Sequence, residues 1–349
     1  MRADFSVVEG AYLRDILDQP HVLEETLAEL EVSESLQRLA GGLKEGKFKT
    51  VVLTGMGSSF HALHPLNIQL VDRGFTAMMV ETSELLHYQN RLFDPKTLIV
   101  AVSQSGQSAE VVRLLEINRG RSSVIAVTNT PGSPLAEQAD ATILSLAGEE
   151  FSVSCKTYLA ALMALHWLGD ILCEGDLLRT RRELEAAGQA VRNYLVHWKA
   201  YVQELAQMLD GTRNLFLVGR GPSLAAVGTG ALTIKESDHF PAEGMSSAAF
   251  RHGPFEMLSH ETFVFVFAGE DKTRELNQSL FADIRGKGGR AELIGEGAAS
   301  RSCLLPSAPR SIRPILEILP VQMVTLALAA QVGREPGRFE LASKVTTKE

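Results

Sequence analysis

The sequence predicts an α/β protein built from two tandem doubly wound parallel-sheet domains, and three observations carry that prediction. The chain has 349 residues, and at roughly 100–200 residues per domain that length accommodates two. Short apolar runs rich in Val and Ile alternate with longer amphipathic segments. This is the rhythm of β-α units feeding a parallel sheet with helices on both faces. The rhythm then restarts. Val51-Val52-Leu53-Thr54 leads into Gly55-Met56-Gly57-Ser58-Ser59, and Leu215-Phe216-Leu217-Val218 leads into Gly219-Arg220-Gly221-Pro222-Ser223. The two turns match glycine for glycine and serine for serine, as expected of one domain duplicated in the chain.

Taken in order, residues 1–45 form an N-terminal helical segment. Charged and apolar positions alternate at helical spacing over 12–45, and Gly41-Gly42 supplies a stop. Residues 46–175 form the first domain, with strands at Thr50–Leu53, Thr97–Val102, Val124–Thr128 and Ala141–Leu144. A helix rich in Ala and Leu over 154–173 closes it. Residues 176–210 form a charged helical linker. The second domain, 211–335, takes strands at Leu215–Val218, Phe263–Phe267 and Ala291–Ile294 and ends on the helix Ile312–Val332. Residues 336–349 remain as a C-terminal tail.

Hydrophobic residues make up 45% of the chain and charged residues 22%, which is apolar material enough for a full core. A net charge of -8 excludes a global basic field for nucleic acid and leaves phosphate binding to a local nest of donors. Met1–Gly10 carries acids and no apolar run, so no signal peptide is expected. The most apolar stretch, Leu316–Val332, is interrupted by Glu317, Pro320 and Gln322 and is too short for a bilayer span, so no membrane partner is expected. Cys155, Cys173 and Cys303 are widely spaced and include no CxxC pair. They point to a reducing cytoplasm and away from a metal site.

The densest local signal is Ser103-Gln104-Ser105-Gly106-Gln107-Ser108, between the apolar strand Leu98–Val102 and the helical segment Ala109–Asn118. In an open parallel sheet, ligands sit beyond the carboxyl ends of the strands. A helix N-terminus there offers unpaired N–H groups and a positive dipole end. Serine hydroxyls and a glutamine amide add donors without bulk, and Gly106 lets the backbone bend inward. A helix cap needs one serine. Three serines and a glycine in six residues exceed that need and mark a cradle for a dianionic phosphate. The Gly55–Ser59 turn lacks the third glycine of the dinucleotide fingerprint, Phe60 standing there and Leu224 at its counterpart. No Walker lysine follows either turn, so no nucleotide is expected. His61 and His64 could share a helical face without a third ligand, and are read as structural.

These residues resemble the sugar isomerase (SIS) family, in particular its double-domain members, over nearly the whole chain. Ser103–Ser108 is similar to the family's S-Q-S-G-[E/R]-[T/S] phosphate loop. Gly148-Glu149-Glu150-Phe151-Ser152-Val153-Ser154-Cys155-Lys156-Thr157 is similar to the G-x-E-x-x-V-A-[S/T]-T-K segment lining the sugar site. Gly230-Ala231-Leu232-Thr233-Ile234-Lys235-Glu236, then Ala249-Phe250-Arg251-His252-Gly253-Pro254, and the tail Leu341-Ala342-Ser343-Lys344-Val345-Thr346 follow in the family's order.

The resemblance implies a SIS-like, flavodoxin-type fold in each half and a sugar phosphate held by Gly57, Ser58, Ser59, Ser103, Gln104, Ser105, Ser108, Val153 and Ser154. It implies neither metal nor organic cofactor. Glu236 becomes the carboxylate that moves a proton between adjacent carbons. His252 becomes the ring-opening group, donated across a homodimer interface, and Lys344 the tail residue that reaches the sugar. Related synthases draw ammonia from an N-terminal glutaminase domain, of which this sequence shows no counterpart. The expected reaction is that of the stand-alone deaminases, glucosamine 6-phosphate to fructose 6-phosphate and ammonia. A fructosamine-phosphate deglycase and a non-catalytic sugar-phosphate-binding regulator are the alternatives. One position departs from the pattern. Thr233 stands where A-L-K-[L/I]-K-E has its first lysine, three residues before Glu236 and on its helical face. The retained Lys235 points roughly 100° away.

Overall fold

Nine strands pair in parallel to form two sheets in the computed structural model, which describes residues 4–341, 343, 344 and 346. In chain order, α1 (Ala11–Glu29) and α2 (Glu34–Lys44) precede β1 (Thr50–Gly55), α3 (Gly57–His61) and α4 (His64–Asp72). There follow β2 (Ala77–Glu81), α5 (Thr82–His87), β3 (Thr97–Ser103), α6 (Ala109–Asn118), β4 (Ser123–Thr128), α7 (Pro134–Gln138) and β5 (Ala141–Leu144). Three helices come next: α8 (Lys156–Leu172), α9 (Leu177–Leu195) and α10 (Trp198–Met208). The second sheet takes β6 (Asn214–Gly219), α11 (Leu224–Asp238), β7 (Ala242–Ser246), α12 (Ser247–Arg251), β8 (Thr262–Phe267), α13 (Asp271–Gly286) and β9 (Arg290–Ile294). The short α14 (Arg313–Glu317) and α15 (Leu319–Val332) close the chain's regular structure.

The chain forms two compact units. One, the β1–β5 unit, comprises His21–Glu149, Lys156–Glu185 and Ser343–Glu349; the other, the β6–β9 unit, comprises Met1–Pro20, Glu150–Cys155 and Ala186–Ala342. The boundary within α1 falls at Pro20.

In the β1–β5 unit the strand order is β2-β1-β3-β4-β5, every pair parallel. This is the flavodoxin-type doubly wound order, with its switch point between β1 and β3. All seven residues of β3 are buried, and burial on both faces is why Leu98-Ile99-Val100-Ala101-Val102 reads as a continuous apolar run. Val52, Ile99, Val124 and Ala126 pack there with Leu85, Val111, Leu114 and Leu115. The stretch read as helical over 12–45 holds two helices, and the second runs on through Gly41-Gly42 to Lys44. Ser33 caps the second, its hydroxyl accepting the Leu36 N–H at 3.2 Å.

The β6–β9 unit repeats the order as β7-β6-β8-β9. The repeat extends to backbone conformation, since Gly57 (φ 52°) and Gly221 (φ 60°) both take the left-handed region that favours glycine. The charged linker is likewise divided, into α9 and α10. The closing helix divides at Ile318, where Pro320 in the first turn of α15 has no N–H to continue a ladder. By length and composition the helical run Arg310–Val332, longer than the stretch read from sequence, could cross a membrane. An 18-residue window within it has a mean hydropathy of 1.7, and 89% of that window is buried inside the protein. Packing accounts for its apolarity.

Candidate functional site

The switch point of the first sheet receives two loops. After β1, Met56 is extended, and Gly57 turns the chain into α3. Gly57, Ser58 and Ser59 are half-buried there. The Met56 carbonyl accepts the Ser59 and Phe60 N–H groups at 3.1 and 3.3 Å.

After β3 comes Ser103–Ser108. Ser103 and Ser105 are buried, each 8% exposed. Ser103 Oγ accepts the Gly106 N–H at 3.1 Å, and Ser105 Oγ accepts the Gln107 N–H at 3.3 Å. A hydroxyl that accepts through a lone pair keeps its own proton to donate. The loop is braced from behind by the β4–α7 connection. The Gln104 carbonyl accepts from the Asn129 N–H at 3.1 Å and from the Thr128 and Thr130 hydroxyls at 3.3 Å. The Gly106 carbonyl accepts the Leu135 N–H at 3.1 Å. Gly106 itself has φ +63°, and a Cβ on it would stand 2.1 Å from Ser133 Oγ. Sequence reasoning passed over Thr128, Thr130 and Ser133. The one signal for them was that Thr128 ends a strand beside β3.

Ser108 is the N-cap of α6, yet its side chain makes no capping hydrogen bond. Its hydroxyl is therefore not spent on the helix. The Ala109 N–H is taken by the Thr346 carbonyl at 3.1 Å, which brings the tail to the start of α6. Lys344, two residues earlier, is half-buried and belongs to the same unit as the loop. Ala342 and Val345 of the expected tail motif lie outside the described residues.

Four expected residues belong to the β6–β9 unit. Glu236 is half-buried in the last turn of α11. Thr233, one turn earlier, is 2% exposed and its hydroxyl has no hydrogen-bond partner among the described residues, whereas Lys235 is exposed. Two residues beyond Glu236, burial holds the Asp238 carboxyl well above the usual carboxylate range. His252 is exposed at the C-terminal end of α12, before Gly253 at φ 139°. Val153 and Ser154, read from sequence as part of the first domain, lie in the piece Glu150–Cys155 that joins this unit. Val153 has no exposed surface and Ser154 is half-buried, so of the pair Ser154 alone has surface exposed.

Among the described residues the second sheet carries no second serine-rich cradle. Ser223, the counterpart of Ser59, gives its hydroxyl to Glu317 Oε1 at 2.9 Å. The junction after β8 reads Ala268-Gly269-Glu270-Asp271, where Asp271 pairs with Arg274 and Arg310. Burial pushes the Glu317 carboxyl up to about 7. In the first unit the His61 and His64 rings stack 6.4 Å apart, and burial, helped by His61, holds His64 at about 4. Among the described residues no three His, Cys, Asp or Glu side chains gather as metal ligands.

Two flavodoxin-type sheets, one with a serine-rich loop at its switch point, define a class. The SIS domain model matches residues 47–169 and 208–330, and the chain belongs to the SIS family. The glutamine–fructose-6-phosphate aminotransferase (isomerizing) of Pyrobaculum aerophilum is 30% identical over 356 residues, covering 97% of this chain and 57% of that protein. The chain thus spans little more than half the length of this curated relative. Among solved structures, the C-terminal domain of glucosamine-fructose-6-phosphate aminotransferase from Francisella tularensis superposes with a TM-score of 0.81 at 20% identity, over 93% of this chain and 97% of that one. Glucosamine-6-phosphate deaminase from Thermotoga maritima superposes with a TM-score of 0.78 at 19% identity, over 97% and 100%. At those identities the two structures establish a shared fold.

Proposed function

We propose that the protein binds an amino-sugar phosphate, glucosamine 6-phosphate or a close relative, and converts it to a ketose phosphate with release of ammonia. The observation that carries this reading is the Ser103–Ser108 loop, whose buried hydroxyls and uncommitted Ser108 stand at the amino end of α6. Such a site meets a dianion with O–H and N–H donors and a helix dipole in place of a cation. His252 protonates the ring oxygen and opens the ring to an aldehyde at C1. Glu236 takes the proton from C2 and returns it to C1, leaving an imine at C2. Water adds to that imine and ammonia leaves. The exposure of His252 supports donation to a neighbouring protomer, so the working form is a homodimer. The tail contact at Ala109 supports a role for Lys344 at the bound sugar. Three buried free thiols fit work in a reducing cytoplasm.

Thr233, buried one turn before Glu236 at the place of the first lysine in the A-L-K-[L/I]-K-E pattern that the segment resembles, favours a second reading. In it the same site serves a deglycase that splits a phosphorylated sugar–amine adduct, or a binder without catalysis. Ammonia and ketose release from a panel of hexosamine 6-phosphates separates these. Turnover of one of them by the wild type, and a loss of at least ~100-fold in Glu236→Gln, is the expected result. Silence of the wild type on the whole panel, or undiminished turnover in Glu236→Gln, contradicts the proposal.

A further inference from the structure

The piece Glu150–Cys155 has no regular secondary structure, so no backbone ladder fixes its shape. Its anchoring comes from side chains. Asp15 on α1 is buried, 4% exposed, and a buried carboxylate needs donors. Asp15 Oδ2 accepts the Phe151 N–H at 3.1 Å and the Ser152 hydroxyl at 3.2 Å, both from about 136 residues along the chain. Glu150, 5% exposed, accepts the Cys155 N–H at 2.9 Å and closes the piece on itself. The Phe151 side chain stands 67% exposed, so it is the backbone of this residue that is held. Between the anchors, Val153 is sealed inside and Ser154 faces partly outward.

We infer that Asp15 is a positioning residue for the sugar end of the site: through Phe151 and Ser152 it fixes the loop that presents Ser154 to the ligand. The inference rests on the reading above, under which Ser154 meets the sugar. A carboxylate that receives a backbone N–H and a hydroxyl on one oxygen makes two charge-assisted hydrogen bonds in a place of low dielectric. Site residues on irregular backbone keep their geometry only where such supporting bonds hold them. The first helix of the chain thereby becomes part of substrate recognition, a role that neither its sequence nor its position before the first sheet announces.

The test compares Asp15→Ala, which removes the acceptor, with Asp15→Asn, whose amide oxygen still accepts. Hydrogen exchange at the Phe151 amide reads the anchor. Calorimetry with fructose 6-phosphate reads the whole ligand, and inorganic phosphate reads the cradle alone. In Asp15→Ala, exchange should quicken about tenfold or more, and fructose 6-phosphate affinity should fall about tenfold while phosphate affinity holds. Asp15→Asn should stay within about threefold of the wild type on both. If Asp15→Ala fails to fold, Ser152→Ala removes one of the two donors and should show a smaller loss with the same selectivity. Unchanged exchange, faster exchange with unchanged sugar affinity, or equal losses for both ligands would each overturn the inference. Failure of the functional reading shows differently, as a wild type that binds no hexose phosphate before any variant is compared.

Discussion

A methyl group at position 106 perturbs the cradle at its tightest point. Gly106 has φ +63°, and holding alanine in that left-handed conformation costs about 1–2 kcal/mol. The added Cβ would stand 2.1 Å from Ser133 Oγ and 2.7 Å from Ser133 Cβ. Rotation of Ser133 relieves the first contact. It leaves the second, because the backbone sets that atom's place. Overpacking of this kind costs a further ~1–3 kcal/mol, so Gly106→Ala should destabilise the protein by roughly 2–5 kcal/mol and weaken phosphate binding as the loop shifts. Ser133→Gly removes both offending atoms. Ser133 Oγ also caps α7, accepting the Ala136 N–H at 3.3 Å, and a cap glycine costs only a few tenths of a kcal/mol. In the double variant the steric part should return and the backbone part remain, a coupling of about 1–3 kcal/mol. Urea unfolding of the four proteins, with phosphate calorimetry on each, measures it. Additive losses would refute the steric explanation, and complete recovery would refute the backbone one.

Two further outcomes follow from single side chains. Ser108→Ala should change stability by less than ~0.5 kcal/mol, since no capping bond is lost, while fructose 6-phosphate affinity falls about tenfold; a cap-sized stability loss with unchanged affinity would make Ser108 a cap after all. Glu317, 1% exposed, is raised from 4.5 to about 7 by burial, so the folded protein holds its proton more tightly than the unfolded chain does. That contribution is complete below pH 4.5 and is lost as the pH rises through 7, roughly 3 kcal/mol in all. Wild-type melting temperature should therefore fall more steeply between about pH 4.5 and 7 than that of Glu317→Gln. Parallel profiles would contradict the burial of an ionisable carboxyl there.

The parts of the fold buried on both faces were legible in the sequence. β1, β3 and β6 announce themselves as continuous apolar runs, and α6 was read at Ala109–Asn118, its observed span. The edge strands β2 and β7 were not. Ala77-Met78-Met79-Val80-Glu81 and Ala242-Glu243-Gly244-Met245-Ser246 pair on one side only and are largely part-exposed, so nothing forces a β-branched or alternating pattern on them. The serine-rich loop was legible because its donors crowd into six residues. What braces it was not. Thr128, Thr130 and Ser133 are ordinary loop residues until the fold sets them behind Gln104 and Gly106. Asp15 looks like any helix aspartate until a piece of chain from the other end of the first sheet closes on it. The membership of Glu150–Cys155 in the β6–β9 unit was equally hidden, because a chain that leaves one unit for six residues leaves no mark in composition.

That a sugar phosphate sits on Ser103–Ser108 is decided by one calorimetric comparison, fructose 6-phosphate titrated into the wild type and into Ser105→Asp. Ser105 is 8% exposed and its Oγ already accepts the Gln107 N–H, so aspartate keeps an acceptor for that bond and adds a negative charge beside the phosphate. Two like charges about 4 Å apart repel by about 4 kcal/mol at an effective dielectric of 20, nearly a thousandfold in affinity. Binding by the wild type and none by a folded Ser105→Asp is the outcome expected of the cradle. Equal affinity in the two proteins would place the phosphate elsewhere and remove the ground for the proposed function.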